Sequence, residues 1–208
     1  MSLFPHGGAR TRRINAYLRR RARTTPGKRA ALDCSSWPAL TRKRAVVFTD
    51  TADFTTRTLR DGILHFLMGF DHVVRTLRPV VKTQRGTVVK VEGDSLLLTF
   101  EDARAACAAV VALDDRLRRF NQTRPADERF RFSYGIGYGD VIELEGDVFG
   151  LEVNVASKLG EDLAKPGEAL LTPAAAAALD SRTLRRVKAY RVVTFNKLAI
   201  PIQRLKLR

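Results

Sequence analysis

The stretch Thr87-Val-Val-Lys-Val-Glu-Gly-Asp-Ser-Leu-Leu-Leu-Thr-Phe100 decides the fold, because two apolar runs flank a central Gly-Asp pair. Two such runs separated by two turn residues are typical of a β-hairpin. Gly93 and Asp94 occupy the turn of this predicted hairpin. The side chain of Asp94 is therefore expected at the tip of two rigid strands.

The segments on both sides of the hairpin predict further strands and helices. Residues 44–49 are an apolar run that predicts a buried strand, and a turn over residues 52–55 leads into a long helix. Apolar residues recur every three or four positions in that helix, at Ile63, Phe66, Leu67, Phe70, Val73, Val74 and Leu77. A second helix is predicted over 102–121, and alternating aromatic and small residues predict a strand over 130–138.

The last third of the sequence predicts additions to this pattern. A turn is expected at Gly139-Asp140, a helix over 153–163, and a closing hairpin over 186–207 with its turn near Asn196 and Lys197. The order β-α-β-β-α-β of the first elements is the ferredoxin-like arrangement. We therefore expect the α+β class, with a ferredoxin-like βαββαβ core and additional C-terminal strands.

The composition is that of a globular protein. The chain has 208 residues, of which 45% are hydrophobic and 28% are charged, ordinary values for one domain with an extension. No run of about 18 apolar residues occurs, so no transmembrane segment is expected. The two cysteines show neither metal-ligand spacing nor a disulfide framework, which favours a reducing, cytoplasmic location.

The charge is concentrated near the N-terminus. The net charge is +15, and residues 1–43 contain 11 Lys and Arg residues but one acid, Asp33. We expect residues 1–43 to be a basic, flexible N-terminal extension and residues 44–208 to be the folded domain. A basic arm of this kind can touch an anionic surface such as lipid or nucleic acid, and a solvated disordered tail is the alternative.

Six charged or amide side chains follow one another in an order that points to one family: Asp50, Lys90, Asp94, Asp147, Asn154 and Lys158. This set resembles the catalytic domain of the class III nucleotidyl cyclases, the adenylate and guanylate cyclase family, over residues 44–208. The resemblance implies conversion of a nucleoside triphosphate to a 3′,5′-cyclic monophosphate and pyrophosphate. It also implies a homodimer, in which one subunit supplies the metal-binding aspartates and the other the base- and ribose-binding residues.

The first group implied by the resemblance binds metal and phosphate. Asp50 and Asp94 are expected to hold two Mg²⁺ or Mn²⁺ ions per site, because these cations prefer oxygen ligands. Backbone N–H groups at Phe54 and Thr55 are expected to contact the substrate phosphates at a helix start. The family usually has glycine where this chain has Asp53, and we interpret this aspartate as a helix cap.

The second group implied by the resemblance selects the nucleotide and stabilises charge. Lys90 and Asp147 match the adenine-reading positions, where a lysine donates to N1 and a carboxylate accepts from the exocyclic amine, so ATP is expected. Asn154 matches the residue that orients the ribose. Lys158 replaces the usual arginine that stabilises charge on the α-phosphate, and lysine keeps the charge but loses the planar fork.

Other interpretations stay open beside an adenylate cyclase. The chain could be a cyclase for GTP or a pyrimidine nucleotide, a nucleotide-binding regulatory homologue with weak or no turnover, or a nucleic-acid binder that uses the basic arm. The glycines at 135, 137 and 139 do not have the spacing of a dinucleotide-binding loop. They indicate a strand that neighbouring chain approaches closely.

Overall fold

The computed structural model describes Phe4, residues 7–195 and residues 198–208. Its helices are α1 (Ala9–Arg23), α2 (Pro26–Leu40), α3 (Phe54–Asp61), α4 (Ile63–Thr83), α5 (Ala103–Asn121), α6 (Leu151–Lys158), α7 (Pro173–Ala177) and α8 (Ser181–Leu184). Its strands are β1 (Arg42–Thr51), β2 (Thr87–Glu92), β3 (Ser95–Phe100), β4 (Phe132–Leu144), β5 (Asp147–Phe149), β6 (Ala169–Leu171), β7 (Val187–Phe195) and β8 (Leu198–Leu205). A single π-helical turn, Leu159–Leu163, continues α6.

The strands form one sheet in the order β2-β3-β1-β4-β6-β8-β7, and β5 pairs with β4 outside this path. The first four strands are antiparallel neighbours, and β6 joins β4 in parallel. With α4 between β1 and β2 and α5 between β3 and β4, these elements are the βαββαβ core of the ferredoxin-like arrangement. The predicted α+β class, with this core and additional C-terminal strands, is confirmed.

Strand β1 runs through the centre of the sheet and is buried on both faces. Ala45 and Val47 belong to the main core with α4 and α5, whereas Val46 and Phe48 pack on the opposite face with Ala156 of α6. Successive side chains of a strand point to opposite faces, so a strand covered on both sides has a continuous apolar run. This burial explains the sequence of 44–49, and it fixes Asp50 on the α6 face.

Three predicted elements differ in the structure. The predicted long helix is present as α4, but the segment before it forms a separate helix, α3, because Gly62 adopts φ 84° between the two. The predicted turn at Gly139-Asp140 is also wrong, since β4 continues through it and pairs residue by residue with β1 as far as Val141. The predicted helix over 153–163 begins earlier, at Leu151, and ends in the π-helical turn.

The hairpin predictions have different outcomes. The hairpin over 87–100 is confirmed, with β2 and β3 in antiparallel pairing and Gly93 at φ 59° in the turn. Strands β7 and β8 also pair as an antiparallel hairpin. The turn predicted near Asn196 and Lys197 lies outside the described residues.

Two helices occupy most of the stretch predicted to be a basic extension. The α1 residues Thr11 and Ile14 are buried, and α1 packs against the end of β4. The flexibility of residues 1–43 and the division of the chain at residue 43 stay predictions. Within the part of the chain that the structure describes, no helix combines the length and the apolar character needed to cross a bilayer.

Candidate active site

Asp50 and Asp94 lie at two strand ends that are tied together by hydroxyl groups. Asp50 is the last residue but one of β1, and Asp94 lies in the β2–β3 turn. The Thr51 hydroxyl donates to the Asp94 carbonyl oxygen at 2.7 Å, and the Leu96 amide donates to the Thr49 hydroxyl at 3.0 Å. The threonines on both sides of Asp50 therefore fix the hairpin turn against β1, a role that the sequence patterns did not indicate.

The electrostatics of this pair favour a bound cation. Burial raises the pKa of Asp50 to about 6, and the neighbouring charges of Asp94 and Glu161 act in the same direction. Burial also raises the pKa of Asp94. A half-buried carboxylate that is surrounded by other carboxylates is stabilised in its charged form by an adjacent positive charge.

The donor set also fits a hard divalent ion. Asp50 and Asp94 supply carboxylate oxygens from rigid strand ends, and oxygen is the ligand type that Mg²⁺ takes. Among the described residues, no cluster of three or more His, Cys, Asp or Glu side chains could enclose a metal ion. Phosphate oxygens and water would therefore supply the remaining ligands of an ion held by Asp50 and Asp94.

Asp53 does not cap helix α3, which corrects the interpretation from the sequence. Its backbone is left-handed, with φ 66° and ψ 19°, and its side chain makes no capping hydrogen bond. An N-cap residue normally has extended backbone angles, from which its side chain reaches the helix amides. The carboxylate instead pairs with Arg131, at 3.0 Å between Oδ2 and Nη2. The left-handed backbone accounts for the usual glycine at this position.

Phe54 and Thr55 begin α3 next to the aspartate pair. The Phe54 ring packs edge-on against Phe66 at a centroid distance of 4.8 Å, while Thr55 is exposed. The first intrahelical bond runs from the Arg57 amide to the Asp53 carbonyl oxygen at 2.9 Å. The N–H groups of Phe54 and Thr55 lie before that bond and belong to the first turn of the helix. N–H groups in the first turn have no intrahelical acceptor and are available to an anion. Their contact with phosphate stays a prediction.

Lys90 and Asp147 meet although they belong to different hairpins. Lys90 Nζ lies 3.3 Å from Asp147 Oδ1 and 2.9 Å from Glu92 Oε2. The hydrogen bond to Glu92 raises the pKa of the Lys90 ammonium, and Asp147 adds to this effect. Asp147 begins β5 after a two-residue turn in which Gly146 has φ 83°. A donor and an acceptor thus stand side by side in one chain.

Asn154 and Lys158 are exposed on α6 and lie one helical turn apart. Lys158 Nζ lies 2.6 Å from Asp162 Oδ2, and this contact raises the pKa of Lys158. Glu152 of the same helix accepts hydrogen bonds from the Tyr138 amide at 3.0 Å and the Thr172 hydroxyl at 2.7 Å. These bonds fix the orientation of α6, and the sequence patterns did not indicate Glu152.

The glycines of β4 allow α6 to lie directly on the sheet. A Cβ atom on Gly135 would lie 1.9 Å from the Ala156 carbonyl oxygen, and one on Gly137 would lie 2.6 Å from the Glu152 carbonyl oxygen. The interpretation of these glycines as a site of close chain approach is confirmed. This approach sets the height of Asn154 and Lys158 above the sheet.

The predicted site residues form three groups in one chain, and Asp162, the ion-pair partner of Lys158, is among the charges that raise the pKa of Asp50. Asp50 and Asp94 form one group, Lys90 and Asp147 a second, and Asn154 and Lys158 a third. In the ranges 7–195 and 198–208, no hydrogen bond or ion pair joins the aspartate pair to either of the other two groups.

Comparison with known proteins gives sequence relatives that match up to 62% of the chain. No family model matches it. A serine/threonine-protein kinase, pkn2, of Myxococcus xanthus is 32% identical over 129 residues, 62% of this chain and 15% of that protein. Putative adenylate cyclase 3 of Rhizobium meliloti is 29% identical over 126 residues, 61% of this chain and 21% of that protein. An adenylate cyclase of Streptomyces coelicolor is 32% identical over 120 residues, 57% of this chain and 29% of that protein. The chain thus spans less than a third of these curated relatives.

Solved structures match a larger share of the chain. The adenylate/guanylate cyclase/hydrolase from Silicibacter pomeroyi superposes with a TM-score of 0.68 at 22% identity, covering 79% of this chain and 96% of that one. The guanylyl cyclase Cya2 superposes with a TM-score of 0.66 at 18% identity, covering 79% of this chain and 92% of that one. The resemblance seen in the sequence is therefore confirmed: the chain has the fold of the class III adenylate and guanylate cyclase catalytic domains.

Proposed function

We propose that this protein is an adenylate cyclase that converts ATP to 3′,5′-cyclic AMP and pyrophosphate at a homodimer interface. The observation that carries the choice of ATP is the pairing of Lys90 with Asp147. Adenine presents an acceptor at N1 next to a donor at its exocyclic amine. An ammonium beside a carboxylate offers the complementary donor and acceptor, whereas guanine presents the reverse pattern.

The proposed reaction is a displacement within one nucleotide. The ribose 3′-oxygen forms a bond to the α-phosphorus, the bond from that phosphorus to the oxygen bridging to the β-phosphate breaks, pyrophosphate leaves, and the 3′-hydroxyl gives up its proton. Because the nucleophile is tethered to the electrophile, the protein mainly bends the substrate and balances charge. Divalent cations held by Asp50 and Asp94 would lower the pKa of the 3′-hydroxyl and neutralise the triphosphate.

The remaining residues position the nucleotide and its charge. The N–H groups of Phe54 and Thr55 would hold phosphate oxygens at the start of α3. Asn154 would orient the ribose, and Lys158 would act as a point charge beside the α-phosphate. The interface follows from the family resemblance, which implies that each subunit completes the site of the other.

A second candidate, a nucleotide-binding homologue with weak turnover, rests on Lys158. Its ammonium is already paired with Asp162 at 2.6 Å, and lysine lacks the bidentate fork of arginine. Incubation of the purified chain with ATP, GTP, CTP or UTP, with Mg²⁺ or Mn²⁺, followed by separation of the products, decides between the candidates. Formation of cyclic AMP in excess supports an adenylate cyclase. Another cyclic product, or binding without product, supports an alternative.

A further inference from the structure

We infer that Glu145 is a positioning residue for the Lys90–Asp147 pair, because it fastens the β4–β5 turn to the N-terminus of helix α1. The inference rests on the proposed function, in which that pair reads the base. It assigns the N-terminal helix a task in nucleotide selection.

The contact between Glu145 and α1 is a helix cap supplied by a distant part of the chain. The α1 N-cap residue is Gly8, which has no side chain to cap the first turn. The Glu145 carboxylate instead accepts hydrogen bonds from the Arg10 amide at 3.2 Å, from the Thr11 amide at 3.1 Å and from the Thr11 hydroxyl. A carboxylate at a helix N-terminus satisfies orphan N–H groups and complements the helix dipole.

The fit between the two segments is close. A Cβ atom on Gly8 would lie 2.5 Å from Glu145 Oε1, so glycine leaves the space that the carboxylate fills. Thr11 retains 2% of its accessible surface and Ile14 retains 7%. The hydrogen bonds from Thr11 hold the pKa of Glu145 at about 2, so the carboxylate is charged at neutral pH.

A second acid beside Glu145 strengthens the same attachment. Glu143 Oε2 lies 3.2 Å from Arg10 Nη1, and Glu143 Oε1 lies 2.7 Å from Arg44 Nε. The Phe4 ring also lies against Phe149 of β5, with centroids 5.6 Å apart. The N-terminal segment therefore contacts the β4–β5 hairpin before, within and after its turn.

The attachment acts on a short strand, in which Val148 is buried beside Val46 and Leu97 while Asp147 lies next to the turn. Strand β5 has three residues and pairs with β4 alone, outside the main strand order. The loop between the paired residues Leu144 and Asp147 has two residues, so a shift of Glu145 moves the backbone of Asp147 with it. A loosened turn would carry Asp147 away from Lys90, which belongs to a different hairpin.

The test uses the full chain and three variants that weaken the same contact. Glu145→Ala removes the carboxylate, Thr11→Val removes the hydroxyl at nearly constant shape, and Gly8→Ala displaces the flexible carboxylate. Glu101→Ala, at an exposed position after β3, is the charge-matched control. The first measurement is amide hydrogen exchange of residues 147–149, and the second is the ratio of ATP to GTP affinity, measured with fluorescent analogues.

We expect all three variants to speed exchange at 147–149 by up to about tenfold and to lower the ATP preference several-fold, with a small change in Tm. Glu101→Ala should leave both measurements unchanged. Unchanged exchange in Glu145→Ala, or an equal loss of affinity for both nucleotides, would overturn the inference. Failure of the wild-type chain to form any cyclic nucleotide would count against the proposed function, while the exchange experiment would still test the attachment.

Discussion

Lys90 Nζ lies within 3.4 Å of both carboxylate oxygens of Asp147, although 57 residues separate the two in the sequence. Lys90 also contacts Glu92 at 2.9 Å. A lysine held between two acids stays charged and keeps a fixed position. This arrangement leads to a prediction about nucleotide choice.

Replacement of both Lys90 and Asp147 should change which nucleotide the protein prefers as substrate. Guanine presents a donor at N1 and an acceptor at its carbonyl oxygen, so the double variant Lys90→Glu/Asp147→Cys, which offers an acceptor and a weak donor, should lower kcat/KM for ATP by about 100-fold and raise it for GTP. Steady-state rates with both nucleotides measure the change. Glu101→Ala is the control, because it removes an exposed acid that follows β3 at the end away from the β2–β3 turn. A double variant that keeps its preference for ATP would count against this pair as the reader of the base.

The aspartate pair should make stability depend on pH and on metal. The pKa of Asp50 is about 6 in the folded chain against an ordinary 3.8. Between these values the folded state binds more protons than the unfolded state, so the free energy of unfolding falls as the pH rises through this interval. Asp50→Asn should therefore stabilise the metal-free chain by about 1 kcal/mol near pH 7.5, a value reduced for the partial exposure of this site.

Thermal unfolding with and without Mg²⁺ checks this prediction. Below about pH 3 the variant and the wild type should have equal Tm values, because Asp50 is then mostly protonated in both the folded and the unfolded state. Mg²⁺ should raise the Tm of the wild type and have little effect on Asp50→Asn. Asp53→Asn is the control, since Asp53 is exposed and paired with Arg131. If Mg²⁺ does not change the Tm of the wild type, either in the presence or in the absence of ATP, that result would argue against a metal site.

The lysine at 158 should limit the rate of the chemical step. Lys158→Arg should raise kcat about tenfold with little change in KM, because a planar fork can make two hydrogen bonds to the α-phosphate. Lys158→Ala should lower kcat by at least the same factor. Asp162→Asn removes the ion pair between Lys158 and Asp162, at 2.6 Å, but keeps the Lys158 side chain. Its kcat therefore separates the effect of the ion pair from that of the lysine. Equal kcat values for the wild type and Lys158→Ala would show that Lys158 does not contribute to the chemical step.

The close approach of α6 to β4 should appear as a strict requirement for glycine at 135. Gly135→Ala would place a methyl group 1.9 Å from the Ala156 carbonyl oxygen. Rigid backbone on both sides leaves no room for adjustment, so a loss of more than about 3 kcal/mol in unfolding free energy is expected. Gly27→Ala is the control, because a Cβ atom there has no neighbour within 4 Å. Urea denaturation measures the unfolding free energy of both variants. A decrease of less than about 1 kcal/mol for Gly135→Ala would contradict this packing.

The sequence predicted those parts of the fold that depend on local patterns. The hairpin with its Gly93-Asp94 turn follows from turn chemistry, and the buried strand that precedes Asp50 follows from a continuous apolar run. The break at Gly62 was not predicted, because the apolar residues that indicate the long helix begin at Ile63, after that glycine. A single positive φ at that glycine leaves no trace in the periodicity.

The parts that the sequence did not predict depend on contacts between distant residues. Gly139 and Asp140 look like a turn, but β4 continues there because β1 pairs with it along its length. Asp53 looks like a helix cap, but its backbone is left-handed and its carboxylate pairs with Arg131. Glu145 resembles any exposed glutamate until α1 is placed beside it. Such roles arise from tertiary structure and have no local pattern.

The site residues were found because a resemblance supplied their order, and the structure adds which of them meet. Lys90 and Asp147 form an ion pair at 3.3 Å, and their reading of the base stays a proposal. Asp50 and Asp94 are coupled through charge. The assignment of these groups to opposite sides of a shared site stays a proposal.

The most direct test of that proposal is subunit complementation. Equal amounts of Asp94→Ala and Asn154→Ala chains, each inactive alone, should together recover about a quarter of the wild-type cyclase activity, because random pairing gives half mixed dimers with one intact site each. A mixture of Asp50→Ala and Asp94→Ala, whose defects lie on the same side of the site, should stay inactive. Activity in the first mixture no higher than in its separate components would contradict a site shared between two chains.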